Sequence, residues 1–294
     1  MKRLAICATL VASSSAAGAQ DSPVLEPSSA WLLDYGEESC SLVRNFGTGD
    51  GLTRVQLTSY GSWVGQRAIV VGAAVPKSRD ATGILHYTLL PEDIRRDSGA
   101  LLGMSGDSPA ISFAVSFTPF DPDRMEEDVT SSEWQERAAE PDRPDPSFEA
   151  AVEGLRVVFD DRSSAEFHLG SMGKPLDALR TCVDDLLASW GLDPVEQKAR
   201  TRNATPDKST VARVQRGYPS DMMRSGMGAY VPVRVMVDAA GQATSCVFQE
   251  QGIDKDFTDA TCDGLRRIYR PALDAEGQPI DSVFQTAVVY MIGR

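Results

Sequence analysis

Residues 230–249 read YVPVRVMVDAAGQATSCVFQ and carry the clearest structural pattern in the C-terminal part of the chain. Every second position from Val231 to Val237 is a valine, a period of two that is typical of a strand with one buried face. The next four residues, Asp238 to Gly241, have the composition of a hairpin turn. We therefore predict a hairpin with strands at 230–238 and 243–249.

The residues after this hairpin predict a helix and one more strand. Asp254 or Asp256 can cap a helix from about 257 to 269. Pro271 would end that helix, and the Gly277-Gln-Pro279 turn leads to a last apolar strand at 283–292. The predicted order is ββαβ, with a three-stranded antiparallel sheet.

Several short motifs occur in a fixed order around this unit. They are Tyr218-Pro219, the valine strand with Asp238-x-x-Gly241, a helix followed by Arg270-Pro271-Ala272, Gly277-x-Pro279, and a β-strand close to residue 294. This ordered set resembles the C-terminal domain of TonB-family energy transducers and covers about residues 217–294. The resemblance implies a periplasmic domain that binds the TonB box of outer-membrane receptors.

In that family the receptor segment adds as a strand beside the last strand of the sheet, an example of β-augmentation. By position, the resemblance implies peptide binding by Tyr218, Pro219, Val283, Gln285, Ala287, Val289 and Met291. The expected partner is an outer-membrane receptor or another envelope protein that offers an extended peptide. Self-pairing of the last strand into a homodimer is the alternative.

The N-terminal part reads as a β-rich domain over residues 31–191. Short apolar runs separated by Gly, Pro, Asp and Ser predict strands at 31–35, 41–46, 53–58, 66–75, 83–89, 110–117, 154–160 and 165–169. Apolar residues at helical spacing from Leu176 to Trp190 predict one helix at the end of this domain. The expected fold class is therefore α+β. Residues 20–30 read as a flexible start, and residues 192–216, rich in Lys and Arg, read as a basic linker.

The first 19 residues have the pattern of a cleavable secretory signal peptide. A basic start, Met1-Lys2-Arg3, precedes an apolar run and the small-x-small site Ala17-Gly-Ala19. The run is shorter than the ~20 residues that span a bilayer. We therefore expect an exported, periplasmic protein that begins at Gln20, with no integral membrane segment and without the membrane anchor of an energy transducer.

If the chain is exported, its cysteines are expected to form disulfide bonds. Four remain after the signal, and an even number in an oxidising compartment favours disulfides. Three pairings are open, and pairing within each domain is the simplest: Cys40 with Cys182, and Cys246 with Cys262. No Cys pair has zinc-ligand spacing, so we expect no metal and no cofactor. An alternative for the acidic stretch is a calcium site, because Asp121-x-Asp123 has the spacing of two calcium ligands. The Gly and the downstream Glu of an EF-hand loop do not follow.

Net charge and the absence of catalytic motifs bear on two other functions, nucleic-acid binding and catalysis. A net charge of -13 makes nucleic acid an unfavourable partner. No catalytic signature occurs, so no catalytic residue is predicted, although His86 or His168 could join a Ser-His-Asp site that is assembled only in space. The alternative hypothesis is therefore an enzyme or enzyme inhibitor at 31–191, with the TonB-like domain serving localisation or dimerisation.

Overall fold

The computed structural model describes residues 23–77, 82–122, 136–137, 139–160, 163–250 and 252–290. The predicted signal peptide, Asp123 and Met291 lie outside these residues. The fold is α+β, as predicted, with one large sheet and one small three-stranded antiparallel sheet. Within the described part of the chain, no helix is long and apolar enough to cross a bilayer.

The first ten strands form the large sheet. They are β1 (Val24–Leu25), β2 (Leu32–Tyr35), β3 (Cys40–Phe46), β4 (Thr53–Ser59), β5 (Gly65–Gly72), β6 (Thr82–Leu90), β7 (Ile94–Ser105), β8 (Ser108–Ser116), β9 (Gly154–Asp160) and β10 (Ser163–His168). Their spatial order is β1-β10-β9-β6-β7-β8-β5-β4-β3-β2, and all pairs except β1 with β10 are antiparallel.

This sheet curls until its two ends meet. Pro27, just after β1, bridges to Phe46 at the end of β3, and Gly47 N donates to Glu26 O at 2.9 Å. One apolar core fills the curled sheet, because inward residues of every long strand belong to the same buried cluster. Residues 23–30, predicted to be a flexible start, therefore form part of the sheet.

Besides one 3-10 turn at Gly49–Gly51, the described residues include six complete α-helices: α1 (Pro146–Ala151), α2 (Gly173–Ser189), α3 (Pro194–Ala199), α4 (Lys208–Arg216), α5 (Ser220–Ser225) and α6 (Lys255–Leu265). The apolar stripe of α2 is buried in the core of the large sheet. Cys182 on α2 is bonded to Cys40 on β3, with Cα atoms 6.1 Å apart, so this predicted pairing is confirmed.

The remaining strands belong to the C-terminal part. They are β11 (Thr205–Pro206), β12 (Ala229–Val237), β13 (Ala243–Phe248), β14 (Tyr269–Arg270), β15 (Ala272–Leu273), β16 (Pro279–Ile280) and β17 (Ser282–Tyr290). The small sheet has the order β13-β12-β17, and α6 covers the face that carries Val231, Val233 and Val235. Cys246 on β13 is bonded to Cys262 on α6, which confirms the second predicted pairing.

The segment predicted to be a basic linker, 192–216, is folded. Thr205 and Pro206 pair with Arg270 and Tyr269, and α4 packs against α6. Asp207 caps α4 by accepting from Thr210 N at 2.7 Å. Lys198, Lys208, Arg213 and Arg216 lie exposed on short helices, whereas Arg200 and Arg202 are half-buried between them. Positive charge is therefore compatible with a folded segment.

Two further elements differ from the sequence-based expectation. The helix predicted to reach residue 269 ends at Leu265, because Tyr269 donates its N–H to Gly241 O at 2.8 Å and pairs in a strand. The twelve-residue strand β7 was not predicted, since its sequence IRRDSGALLGMS has no period of two. Its neighbours β6 and β8 impose the extended conformation through backbone pairing.

Candidate functional site

The last strand, β17, has one unpaired edge. It pairs with β12 on one side, and within the described residues no strand pairs with its other side. Between Ser282 and Tyr290 the strand carries no charged residue and no proline. Proteins normally block such edges with charges, prolines or bulges, because free N–H and C=O groups can pair with another chain. This edge is therefore the strongest candidate for a functional site.

The pairing of Pro232 shows which backbone groups of β17 point outward. Gln249 N on the β13 side donates to Pro232 O at 3.0 Å, so the backbone groups of residue 232 face away from β17. Pro232 lies opposite Ala287, and in an antiparallel ladder hydrogen-bonded and non-hydrogen-bonded pairs alternate. The outward N–H and C=O groups are therefore those of Val283, Gln285, Ala287 and Val289.

On the α6 side of the sheet, a groove follows this free edge. It is a cavity of about 420 Å³ between β17 and α4, and we call it the α4 groove. Its wall is mostly apolar, with Val211 and Val214 on α4, Pro206, and Leu265 from α6, and it also includes Thr210 and Thr286. A strand added at the edge would turn every second side chain into this groove. Apolar side chains match its lining.

On the opposite side, a second cavity separates β17 from the large sheet. We call this cavity of about 500 Å³ the sheet cleft, and its lining includes Ser98, Ser116 and Gln66. Gln66 is 5% exposed, and its Oε1 has no hydrogen-bond partner among the described residues. Arg67 stacks over the ring of Tyr230 at 3.6 Å. The other side chains of an added strand would meet this cleft, whose lining mixes polar residues with Ala114, Val115 and Pro232.

A third cavity lies where β17 begins. We call this cavity of about 220 Å³ the Arg200 pocket; Gly61 to Val64, Asn203 to Pro206 and Val283 to Gln285 line it. It shares Pro206 and Phe284 with the α4 groove, so the two cavities are neighbours along the strand.

The resemblance-based site residues fall into three groups. Tyr218 lies in the α4 groove, where its hydroxyl donates to Met227 O at 2.6 Å and its ring packs against Tyr290 with centroids 5.3 Å apart. Pro219 only caps α5 and lines none of the three cavities. Tyr218 therefore shapes the groove, whereas Pro219 has a local structural role.

Of the four described residues of β17 in that set, Val283 and Gln285 have side chains that contact the large sheet, whereas the side chain of Val289 is exposed. Val283 packs against the core of the large sheet, and the amide of Gln285 donates to Tyr60 O. Arg234, opposite Gln285, forms a bidentate ion pair with Glu38 at 2.7 and 2.8 Å. These contacts hold the small sheet against the large sheet and leave the edge backbone as the part that can bind.

Sequence reasoning missed α4 and Arg200, because both lie in the supposed linker. The signal was available for α4, since Asp207 stands three residues before Thr210 and Val211 and Val214 share one helix face. No local signal places Arg200 in a pocket with residues 61–64, because that contact joins distant parts of the chain.

The two histidines do not form a hydrolytic triad among the described residues. His86 contacts Asp97 through Nδ1 at 2.6 Å, but its Nε2 faces Arg95 rather than a hydroxyl. His168 lies on the surface and contacts Glu26. In the same described ranges, no group of three His, Cys, Asp or Glu residues has the geometry of a metal site.

Burial changes the pKa values of two side chains beside the free edge of β17, Arg200 and Tyr60. Desolvation, together with the nearby Arg143, lowers the pKa of Arg200 to about 10. Burial also raises the pKa of Tyr60, whose hydroxyl donates to Glu250. Arg200 thus remains cationic at neutral pH in a partly desolvated position.

Comparison of the chain with known protein families, with curated proteins and with solved structures found no match.

Proposed function

We propose that this protein binds an extended peptide by adding it as a strand to the free edge of β17. One observation carries the proposal: the outward backbone groups of Gln285, Ala287 and Val289 lie between the α4 groove and the sheet cleft. Backbone hydrogen bonds would supply affinity, and the two cavities would select alternate side chains.

The resemblance of residues 217–294 to TonB C-terminal domains supports one class of partner. In that class the peptide belongs to an outer-membrane receptor or another envelope protein, and the binding is linked to TonB-dependent transport. The two disulfides are compatible with an exported protein. Periplasmic location belongs to the same proposal.

Amide NMR of the disulfide-bonded full chain tests this proposal. TonB-box peptides are titrated in, and we expect shifts in residues 284–290 and in α4. The control peptide has the same side chains but N-methyl groups on alternate amides, which removes the donors that a new strand needs. Absence of shifts with every peptide, or equal shifts with the N-methylated control, contradicts strand addition.

The same sample without peptide tests the alternative, in which β17 pairs with a second copy of the chain. If β17 pairs with a second copy, the same residues shift with protein concentration, and sedimentation gives a dimer. A monomer that responds only to peptide supports the proposed function.

A further inference from the structure

A basic cavity lies where the C-terminal parts of α4 and α6 meet. We call this cavity of about 440 Å³ the arginine cavity, because its lining includes Arg213 on α4 together with Arg266 and Arg267 just after α6. No residue of its lining belongs to the α4 groove, the sheet cleft or the Arg200 pocket. The arginine cavity is therefore a site separate from the free edge of β17.

Positive charge dominates the lining of this cavity. Arg213, Arg266 and Arg267 are all exposed, and within the described residues none of them forms an ion pair with a carboxylate. Asp263 also lines the cavity, which leaves two positive charges in excess. In a chain with a net charge of -13, this local charge is opposite in sign to that of the whole. Like charges around one cavity repel one another, and a bound anion removes that repulsion.

The backbone that carries two of the arginines is fixed by its neighbours. Arg266 N donates to Cys262 O at 2.9 Å, and Arg267 O accepts from Ala243 N at 3.3 Å. Cys262 is bonded to Cys246 on β13. The end of α6 and the hairpin of β12 and β13 thus hold this turn, so a ligand meets a backbone that is already ordered.

Gly264 brings the third arginine to the same cavity by letting α4 pack closely against α6. A Cβ at Gly264 would lie 2.8 Å from Val214 Cγ2 and 3.3 Å from Val214 Cα. Any larger residue would push the two helices apart. Arg213 directly precedes Val214, so this close approach places it beside the residues that follow α6.

The helix dipole explains only part of this arrangement. Arg213 and Arg216 lie in the last turn of α4, where positive charge stabilises a helix. Arg267 lies two residues beyond the end of α6, past the last turn in which that effect acts. Its side chain donates to Arg266 O at 3.0 Å and meets no carboxylate among the described residues. The positions of the arginines therefore point to an anionic ligand.

We propose that the arginine cavity binds a phosphate group, carried by a lipid headgroup or by a small soluble phosphate ester. Guanidinium groups donate paired hydrogen bonds to phosphate oxygens, and a terminal phosphate offers three such oxygens where a carboxylate offers two. The volume of about 440 Å³ lies in the range of small-molecule sites. This inference does not depend on strand addition at β17, because the two sites share no residue.

The first experiment titrates glycerol 3-phosphate into the disulfide-bonded full chain at constant ionic strength. Amide and arginine Nε–H resonances are followed by NMR, and we expect saturable shifts at Arg213, Arg266 and Arg267. Succinate, a dicarboxylate of similar charge, is the control. It should bind roughly 10-fold more weakly, because the loss of one hydrogen bond to a charged group has about this effect.

Variants assign the binding to the cavity. Arg266→Gln and Arg213→Gln remove one arginine from each side, and each should weaken glycerol 3-phosphate binding roughly 10-fold. Arg216→Gln, the same charge loss at an exposed position of α4 outside the lining, should leave the affinity unchanged. All three side chains are exposed, so the melting temperature without ligand should not fall, which shows that the variants are folded.

Vesicles distinguish the two sources of phosphate. The full chain is cosedimented with vesicles of equal parts phosphatidylcholine and phosphatidic acid, and with vesicles of phosphatidylcholine alone. Binding that requires phosphatidic acid and is weakened by Arg266→Gln shows that a lipid headgroup reaches the cavity. Binding of glycerol 3-phosphate without binding to vesicles assigns a soluble ester. Both results support a phosphate site.

Four results overturn the inference: no binding of glycerol 3-phosphate or of vesicles, equal affinity for succinate, unchanged affinity in Arg266→Gln and Arg213→Gln, or an equal loss in Arg216→Gln. The last result would indicate diffuse attraction by surface charge rather than binding in the cavity. None of these results bears on peptide binding at β17.

Discussion

Two proline substitutions one residue apart test the edge most directly. Ala287→Pro removes an N–H that points outward from β17, whereas Val288→Pro removes an N–H that donates to β12. Val288 lies opposite Val231, which is 0% exposed. Proline is tolerated on the open side of an edge strand and disrupts a paired ladder. We therefore expect opposite phenotypes from the two variants.

The expected magnitudes follow from the hydrogen bonds. Val288→Pro leaves the buried carbonyl of Val231 without its donor, which costs about 1–3 kcal/mol of unfolding free energy. Each kcal/mol lowers the melting temperature by about 2–4 °C in a large domain. Ala287→Pro breaks no ladder bond, so we expect a melting temperature close to that of the unchanged protein.

Binding should show the reverse pattern. Ala287→Pro removes one donor and leaves a peptide carbonyl unpaired against the proline ring, a loss of about 1–3 kcal/mol or roughly 5- to 150-fold in affinity. Differential scanning calorimetry measures stability, and peptide titration measures affinity. If Ala287→Pro destabilises the fold as much as Val288→Pro, or binds peptide normally, the assignment of the outward backbone groups is wrong.

Three further predictions concern the structure around the edge. A backbone N–H in the first turn of α4 lowers the pKa of Asp207, so this cap stabilises the fold above pH 3.8 and is lost as the pH falls through the lowered value. Asp207→Ala should cost about 1 kcal/mol at pH 7 in denaturant unfolding, and this difference should shrink below pH 3.8. Replacing Cys246 and Cys262 by serine opens a loop with a sequence separation of 16 and should cost about 3 kcal/mol; an unchanged melting curve would contradict this value. Gly61→Ala places a Cβ against the side chain of Gln285 at a φ of 116°, and we expect a loss of about 1–3 kcal/mol, measured by thermal unfolding.

The parts of the fold that follow from local pattern were predictable. The valines from Val231 to Val237 specify a strand with one buried face, because side chains alternate with a period of two. The last strand was predicted at 283–292 and is described from Ser282 to Tyr290. Its apolar, β-branched residues favour an extended chain whatever lies around it.

Local pattern was insufficient where pairing or packing decides the conformation. The strand β7 is held by hydrogen bonds to β6 and β8, although its own residues do not favour a strand. Charge in 192–216 suggested a tether, yet Thr205 pairs with Arg270 and the segment forms part of the fold. The partners of β7 are its neighbours along the chain, whereas the partner of Thr205 lies far away in the sequence; in both cases backbone pairing supplies the free energy.

The α+β class, the hairpin with the final strand, and the cysteines available for bonding follow from local residue patterns. Three features require the folded chain: the contact of Cys40 with Cys182, the side of β17 that no described strand pairs with, and the position of Arg200 beside the first residues of β17. The physical reason is range: periodicity, turns and caps act over a few residues. An open edge and a pocket exist only once distant segments have packed and left one backbone face without a partner.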